Sequence, residues 1–389
     1  MLWSSVGTAC ALGLMAVVGQ TTTSYPPAEA LPVISGLPDP FLRSDGTRIQ
    51  SKREWERQRK ALLNLILHYE YGELPPVPRS VKAEILAAQP IEGVAGTEQE
   101  ILLTMGPKGG VSTHLFLAKP EGEGTFPVLI TGDLNWGRIK PEIVRAIVQR
   151  GYILAVFNRE EIASDNNAHH GVYRAYPNYK GGRLAAWAWG YHRVIDYLLT
   201  LPSIDGKHIG VTGHSRGGKA TLLAGATDTR IALTAPNNSG CGGAGCFRIL
   251  DGKCEDITAI LKNFPFWFSP HFQEFIGKID HLPFDQHTAK ALIAPRSLLT
   301  TEALGDHWAN PQGTQITHSA AKEVFDFLGV GERIGIRFRE GGHEHNLQDW
   351  TALLDFADIQ FFGKKASSAF TTLIFPNAER GHTWERPAK

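Results

Sequence analysis

The amino-acid sequence predicts an α/β protein whose doubly wound, mostly parallel β-sheet is flanked by helices. Three observations lead to this prediction. Unbroken apolar runs, PVLIT at 127–131 and YILAVF at 152–157, are typical of strands buried on both faces of a parallel sheet. Stretches that favour helix, at 141–150 and 184–199, follow these runs. Strands and helices that alternate along a chain indicate a doubly wound sheet.

The chain before these runs has a different pattern. Residues 52–71 carry apolar side chains at helical spacing and predict a helix, which the proline-rich stretch 75–78 ends. The segments 81–86, 98–105 and 113–118 alternate apolar and polar residues and predict half-buried strands. The later series of buried strands continues at 209–212, 231–235, 296–301 and 335–338. Antiparallel strands at the start and parallel strands afterwards fit the plan of the α/β-hydrolase fold.

The composition excludes some classes of function. The 389 residues include 39 Lys and Arg and 39 Asp and Glu, so the formal net charge is zero. Nucleic-acid-binding proteins normally have a basic excess, so we expect no nucleic-acid partner. Cys241, Cys246 and Cys254 lie close together in the chain, but no histidine stands at ligand spacing. We expect no metal site, while any disulfide pairing among these cysteines and the oligomeric state stay open.

The N-terminus has the pattern of a targeting segment. The short apolar run Cys10–Val18 is followed by the polar stretch 20–24. This length predicts the apolar region of a signal peptide rather than a membrane span, although no Lys or Arg precedes it. We expect residues 1–24 to be a signal peptide of a secreted or periplasmic protein. Residues 25–364 are expected to form a single α/β-hydrolase domain, and 365–389 a C-terminal tail.

The pentapeptide Gly213-His214-Ser215-Arg216-Gly217 matches the G-x-S-x-G pattern. An apolar strand precedes it and a helix-forming stretch follows, which is the order that a nucleophile elbow requires. Such a turn lifts the serine hydroxyl above the sheet, and its glycines leave room where strand and helix approach. Ser215 is therefore the candidate nucleophile. The backbone N–H of Arg216 is expected to face the developing oxyanion, with a second donor from the loop 132–137.

A serine hydroxyl becomes nucleophilic when an imidazole takes its proton. In this fold the chain order is serine, acid, histidine, so the base should follow the last strand. Two candidates stand there, His343 and His345, and we favour His343 because it comes directly after two glycines. The acid should follow the preceding strand, where Asp306 lies in the loop. Glu302 lies nearer the strand and is interpreted as structural.

Several spaced motifs resemble the glucuronoyl esterases, a carbohydrate esterase family with the α/β-hydrolase fold. The resemblance covers roughly residues 125–362, so it is far more specific than G-x-S-x-G alone. The motifs that carry it are GHSRGGK at 213–219, NSGCGG at 238–243, LPFDQH at 282–287, APR at 294–296, Asp349-Trp350, and DFAD at 355–358.

The resemblance implies a function and several roles. The family hydrolyses the ester between (4-O-methyl-)glucuronic acid of xylan and lignin alcohols, and it needs no metal or cofactor. By resemblance, the Arg216 side chain stabilises the oxyanion, Lys219 contacts sugar hydroxyls, and Trp308 lines the sugar site. Glu255 matches a substrate-binding glutamate less closely. A guanidinium suits an oxyanion, and Lys and Glu can hydrogen-bond vicinal hydroxyls.

The chain departs from part of the family pattern. Some members carry the acid as a glutamate at the position of Asn238, which cannot act as a carboxylate, so the role falls to Asp306. The fungal-type cysteine beside the serine is replaced by His214, which favours the bacterial type. Bacterial members typically have a single histidine at the spacing of His343, whereas fungal sequences leave His345 open.

Two alternatives to a glucuronoyl esterase remain at the level of sequence. One is an acetyl-xylan esterase or another carbohydrate esterase of the same fold, because fold alone does not separate these activities. An acetyl esterase has no need for both Arg216 and Lys219. The other is a catalytically inactive polysaccharide-binding protein, which the nine tryptophans would suit. An intact serine, histidine and loop aspartate argue against it.

Overall fold

The computed structural model describes residues 25–365, 369–376, 378 and 380–388. The predicted signal peptide, residues 1–24 with Cys10, lies outside this part of the chain. The described residues contain one nine-stranded sheet with the strand order β1-β2-β3-β5-β4-β6-β7-β8-β9. The strands are β1 (Val81–Pro90), β2 (Gly96–Met105), β3 (Val111–Pro120), β4 (Phe126–Thr131), β5 (Ile153–Phe157), β6 (Ile204–His214), β7 (Leu233–Asn237), β8 (Ser297–Ala303) and β9 (Ile334–Arg339).

The sheet changes from antiparallel to parallel along its width. Strands β1, β2, β3 and β5 pair antiparallel in that order, whereas β5, β4, β6, β7, β8 and β9 pair parallel. The parallel part has the buried strands that the sequence predicts, since all five residues of β5 and of β7 are buried. This architecture confirms the predicted fold class.

Ten α-helices connect and cover the strands in the described part of the chain. They are α1 (Lys52–Ile66), α2 (Pro141–Gln149), α3 (Arg159–Ile162), α4 (Val172–Ala175), α5 (Arg183–Leu198), α6 (Arg216–Thr227), α7 (Ile257–Asn263), α8 (Gln286–Ala291), α9 (Pro311–Leu328) and α10 (Leu347–Phe362). A π-helical turn, Leu67–Tyr71, extends α1 to the end predicted from the sequence. None of the described helices combines the length and apolar character needed to cross a membrane.

Each face of the parallel sheet has its own core. Alternate residues of β4 point to opposite sides, so Val128 and Ile130 join one apolar cluster while Leu129 joins the other. Helices α1, α5, α6 and α9 pack on the first side, and α2 and α10 pack on the second. Burial on both sides explains why the strands of this half lack alternation in sequence.

Most strand bounds lie within two residues of the sequence prediction, although β1 ends at Pro90, four residues later than predicted. Strand β7 lies two residues further along the chain than the predicted 231–235. Strand β6 begins at Ile204 instead of residue 209, because its first residues pair irregularly with β4. In the pairing with β4, Ile204 lies opposite Phe126 and Ile209 lies opposite Val128. The residues of β6 between Ile204 and Ile209 are mostly polar, so the sequence shows no apolar run there.

The two ends of the described chain contact each other. The Trp384 indole Nε1 donates a 2.7 Å hydrogen bond to the Leu37 carbonyl, and the Leu37 N–H donates to the Gly381 carbonyl at 2.7 Å. Phe370 is buried, and its carbonyl accepts a hydrogen bond from the Ile336 N–H of β9. The segment that the sequence predicts as a C-terminal tail therefore packs against the sheet and the N-terminal arm.

Burial keeps several histidines neutral, and His318 on α9 provides a test of how such a histidine affects the pH dependence of stability. Burial, together with the charges of nearby Lys290 and Lys322, lowers the pKa of His318 to about 3. An unfolded chain would bind a proton there below about pH 6.5, whereas the folded chain would not until about pH 3. Between these values this histidine makes folding less favourable as the pH falls.

We therefore expect His318→Gln to gain stability relative to wild type as the pH falls from 7 to 4.5, by about 2 kcal/mol. Urea unfolding at several pH values measures this difference. His169 is exposed, so His169→Gln serves as the control. A stability difference for His318→Gln that does not change with pH would contradict the prediction.

Candidate functional site

The candidate nucleophile lies on a strained turn between β6 and α6. Ser215 has φ 55° and ψ −122°, a conformation that non-glycine residues rarely adopt. Its N–H donates a 2.9 Å hydrogen bond to the Asn237 carbonyl at the end of β7. A Cβ atom on Gly213 would lie 2.6 Å from the Gly217 carbonyl oxygen, and one on Gly217 would lie 2.1 Å from Asp133. Both glycines of the motif are therefore required by close packing.

The loop after β4 contacts the turn at Ser215 and fixes its position. The Asp133 Oδ2 atom accepts a 2.8 Å hydrogen bond from the His214 N–H, and the other oxygen pairs with the fully buried Arg159. Gly132, expected to lie in the loop that gives a second oxyanion donor, donates its N–H to the Tyr191 hydroxyl at 2.9 Å. This loop therefore fixes the turn through an acceptor side chain.

His343 and Asp306 form a hydrogen-bonded pair at the same edge of the sheet. The His343 Nδ1 and Asp306 Oδ2 atoms are 2.5 Å apart. The loops that carry them are joined by two backbone hydrogen bonds, Leu304 N–H to the Arg339 carbonyl and Gly305 N–H to the Gly341 carbonyl, both 2.9 Å long. When Nδ1 carries the proton toward the carboxylate, Nε2 is left with a free lone pair, as a general base requires.

A row of aromatic rings joins the histidine loop to the elbow. The His214 ring centroid lies 4.5 Å from that of His343 and 5.9 Å from that of His345. His345 in turn stacks on Trp350 at 4.7 Å. Since His214 immediately precedes Ser215, these contacts bring the His343–Asp306 pair to the turn that carries the candidate nucleophile.

The two candidate bases differ in their surroundings. His343 is 43% exposed and faces a carboxylate, whereas His345 is packed between two rings. Burial holds the pKa of His345 well below its usual range, and His214 and Arg339 lower it further. An imidazole with so low a pKa is a poor proton acceptor, so the geometry favours His343.

Glu302, the other acid near the end of β8, points into the core. It is fully buried, and its Oε1 atom accepts a 3.2 Å hydrogen bond from the Thr314 hydroxyl of α9. Burial raises the pKa of Glu302 well above its usual range. Its contacts fit the structural interpretation drawn from the sequence.

Two asparagines at the end of β7 connect neighbouring strands. The Asn237 Oδ1 atom lies 2.6 Å from His214 Nδ1, and its Nδ2 donates to the Thr301 hydroxyl at 2.9 Å. Asn238 has φ 42°, and its Oδ1 accepts a 2.9 Å hydrogen bond from the Ala303 N–H. Asn238, where the resemblance implies an acid in some family members, therefore ties β7 to β8.

The three residues expected to bind substrate are linked to each other. The Lys219 ammonium is buried and donates to the Ser239 carbonyl at 2.8 Å, to the Cys241 carbonyl, and to Glu255 Oε2 at 3.4 Å. The Glu255 N–H donates to the Trp308 carbonyl at 3.1 Å. Because an ammonium has three protons, a sugar hydroxyl can reach Lys219 only by replacing one of these partners.

Arg216 lies at the start of α6 with a charged and an aromatic neighbour. Its guanidinium forms an ion pair with Asp165 and lies 4.9 Å from the centroid of the Trp267 ring. Trp267 is buried, whereas Trp308 is 50% exposed. Sequence reasoning did not identify Asp165, and its only signal was an asparagine- and tyrosine-rich stretch at 160–182.

The cysteines are free thiols in the described part of the chain. Cys241 and Cys246 are buried, and burial raises the pKa of both thiols well above the usual range. Within the described ranges, no group of three or more His, Cys, Asp or Glu side chains is arranged to hold a metal ion.

The sheet order and the strand–turn–helix at Ser215 define an α/β-hydrolase. A family model described as "Glucuronyl esterase, fungi" matches residues 108–329. A 4-O-methyl-glucuronoyl methylesterase from Podospora anserina is 33% identical over 84% of this chain and 67% of that protein. A carbohydrate esterase from an unknown prokaryotic organism is 30% identical over 84% of this chain and 90% of that protein.

Solved structures give the same result. A family 15 carbohydrate esterase, a glucuronoyl esterase from Caldicellulosiruptor kristjansonii, has a TM-score of 0.78 and 31% identity, covering 92% of this chain and 99% of that chain. A serine-to-alanine mutant of the Sporotrichum thermophile glucuronoyl esterase, in complex with methyl 4-O-methyl-β-D-glucopyranuronate, has a TM-score of 0.72 and 27% identity, covering 88% and 93%. The chain belongs to the glucuronoyl esterase family and is a carboxylic ester hydrolase.

We expect His343→Ala to lower kcat by at least about 10³-fold, because the pair with Asp306 is lost. His345→Ala should lower kcat by about tenfold or less, since that ring only supports its neighbours. Steady-state kinetics of both variants on one glucuronate ester measure the difference, with melting temperatures as a control for folding. A larger loss for His345→Ala than for His343→Ala would contradict the assignment.

Proposed function

We propose that this chain hydrolyses the ester between (4-O-methyl-)glucuronic acid of glucuronoxylan and lignin alcohols, through an acyl-enzyme on Ser215. The observation that carries the proposal is the His343–Asp306 pair beside the strained turn, at the carboxyl edge of the sheet. The activity in the name of the Podospora anserina relative is the cleavage of a 4-O-methyl-glucuronoyl ester, which supports the same acyl group here.

In the proposed mechanism His343 Nε2 takes the proton of the Ser215 hydroxyl as its oxygen attacks the uronate carbonyl carbon. Asp306 holds the imidazole in the required tautomer and stabilises its charged form. The oxyanion that forms is stabilised by the Arg216 guanidinium and by the Arg216 N–H at the first turn of α6. The bond between the carbonyl carbon and the alcohol oxygen then breaks, and His343 gives its proton to that oxygen. The product of this step is an ester between Ser215 and the uronic acid.

Water completes the cycle. His343 takes a proton from a water molecule whose oxygen attacks the acyl-enzyme carbonyl, and it returns that proton to Ser215 as the uronic acid leaves. Lys219, Glu255 and Trp308 are proposed to hold the sugar. We also propose that residues 25–364 are one catalytic domain and that the enzyme is secreted or periplasmic, in keeping with a polymeric plant substrate.

The substrate class can be tested by comparing benzyl glucuronate with acetylated xylan. We expect kcat/KM for the uronate ester to exceed that for acetyl release by at least about 100-fold. Polar groups of the site that bind the uronic acid would be left unpaired by an acetyl group. Product release measured by chromatography gives both rates. Equal or reversed rates would favour an acetyl-xylan esterase.

Ser215→Ala is the matched control for this comparison, and its activity should fall by at least about 10⁴-fold. A fluorophosphonate should label the wild type and not Ser215→Ala. Folded wild type that neither reacts with the probe nor cleaves either ester would instead favour a polysaccharide-binding protein.

Trp308 is half-exposed and should contribute binding rather than chemistry. We expect Trp308→Ala to raise KM for benzyl glucuronate by about 3- to 10-fold with little change in kcat, because a stacking contact binds substrate and transition state alike. Phe362 at the end of α10 is 46% exposed, and Phe362→Ala controls for removal of an exposed ring. A fall in kcat with unchanged KM for Trp308→Ala would contradict this role.

A further inference from the structure

The Arg216 guanidinium is fixed on two sides by residues that no step of the proposed mechanism uses. Its Nη1 atom pairs with Asp165 Oδ2, and its planar group lies near the aromatic faces of Trp267 and Phe264, at 4.9 and 5.2 Å from the ring centroids. The Arg216 side chain is 31% exposed, whereas that of Asp165 is 9% exposed. The carboxylate is therefore the anchored partner of this pair.

Asp165 is itself held by Trp267. The indole Nε1 of Trp267 donates a 2.6 Å hydrogen bond to Asp165 Oδ1, so the two carboxylate oxygens are divided between Trp267 and Arg216. Phe264 stacks on the Trp267 ring with a centroid distance of 3.9 Å and an interplanar angle of 3°. The tryptophan thus supports both members of the ion pair, one through its N–H and one through its ring face.

The loop that carries Asp165, residues 163–168, is clamped from the first turns of α5. The Arg183 guanidinium donates to the carbonyls of Ser164 at 3.1 Å, Asn166 at 3.0 Å and Ala168 at 3.1 Å. The Trp187 indole donates to the Ala163 carbonyl at 2.7 Å. These backbone contacts stand on both sides of Asp165, so the position of its carboxylate is set by helix α5.

We propose that Asp165 is a positioning residue that holds the Arg216 guanidinium where the oxyanion develops, with Trp267 as its support. This inference rests on the proposed function of Arg216. A free arginine side chain samples many rotamers, and ordering it during the reaction would cost part of the stabilisation it gives. A carboxylate fixed by α5 and an indole removes that cost before substrate binds.

The test is Asp165→Asn, which keeps the shape of the side chain and removes its charge. We expect kcat on benzyl glucuronate to fall by about 10- to 100-fold while KM changes less than about threefold, because a displaced group loses stabilisation mainly in the transition state. Trp267→Phe keeps the ring and removes the N–H, and its loss should be smaller, about 2- to 5-fold. Asn167 is exposed in the same loop, and Asn167→Ala is the matched control.

A double-mutant cycle separates positioning from general damage to the fold. If Asp165 acts through Arg216, then Asp165→Asn should have less than a twofold effect in an Arg216→Ala background. A crystal structure of Asp165→Asn should show the guanidinium moved away from its present place beside Trp267. The inference is overturned if kcat stays within twofold of wild type, if the loss persists in full without Arg216, or if the guanidinium has not moved.

These outcomes differ from a failure of the proposed function. If folded wild type cleaves no uronate ester, the proposed function itself is wrong. If wild type is active and Asp165→Asn is equally active, only the positioning role is lost.

Discussion

The crowded turn at Ser215 is the constraint on which the rest of the site depends. A serine at φ 55° is costly, and the turn persists because its surroundings fix it from several sides. Asp133 accepts the His214 N–H and occupies the space that a side chain at residue 217 would need. The Asp133 carboxylate is buried, and Arg159 at the start of α3 neutralises it. Removing either partner of such a pair would leave an uncompensated buried charge beneath the nucleophile.

The parallel sheet explains why these groups meet. The carboxyl ends of β6, β7, β8 and β9 lie side by side, and the polar residues that follow each strand therefore lie within contact distance. Asn237 bridges His214 to β8, and the backbone bonds of Leu304 and Gly305 join the acid loop to the histidine loop. The distance between His343 and Asp306 is thus a consequence of strand pairing, because both residues lie only a few positions beyond paired strand ends.

Much of this was predictable from sequence, since the information is local. The buried strands are continuous apolar runs, the elbow is a five-residue pattern, and the order of serine, acid and histidine follows the order of strands. Contacts between segments that are distant in the chain could not be predicted, because no local pattern in the sequence indicates them. Asp165 meets Arg216 across 51 positions and Trp267 across 102, and only the folded chain brings them together. The length of β6 was missed for a related reason, because irregular pairing lets polar residues occupy a strand.

The two cations expected to face the substrate each have a carboxylate partner. Arg216 pairs with Asp165, and Lys219 pairs with Glu255. Because of these ion pairs, the site has hydrogen-bond donors but little positive charge that a carboxylate does not balance. In the proposed reaction the ester substrate is neutral at the carbonyl, whereas the released uronic acid is an anion near neutral pH. A site with free cations would hold that anionic product strongly and slow its release. A paired Arg216 can direct N–H groups at a transient oxyanion while binding the product carboxylate weakly, which is the differential binding that catalysis requires.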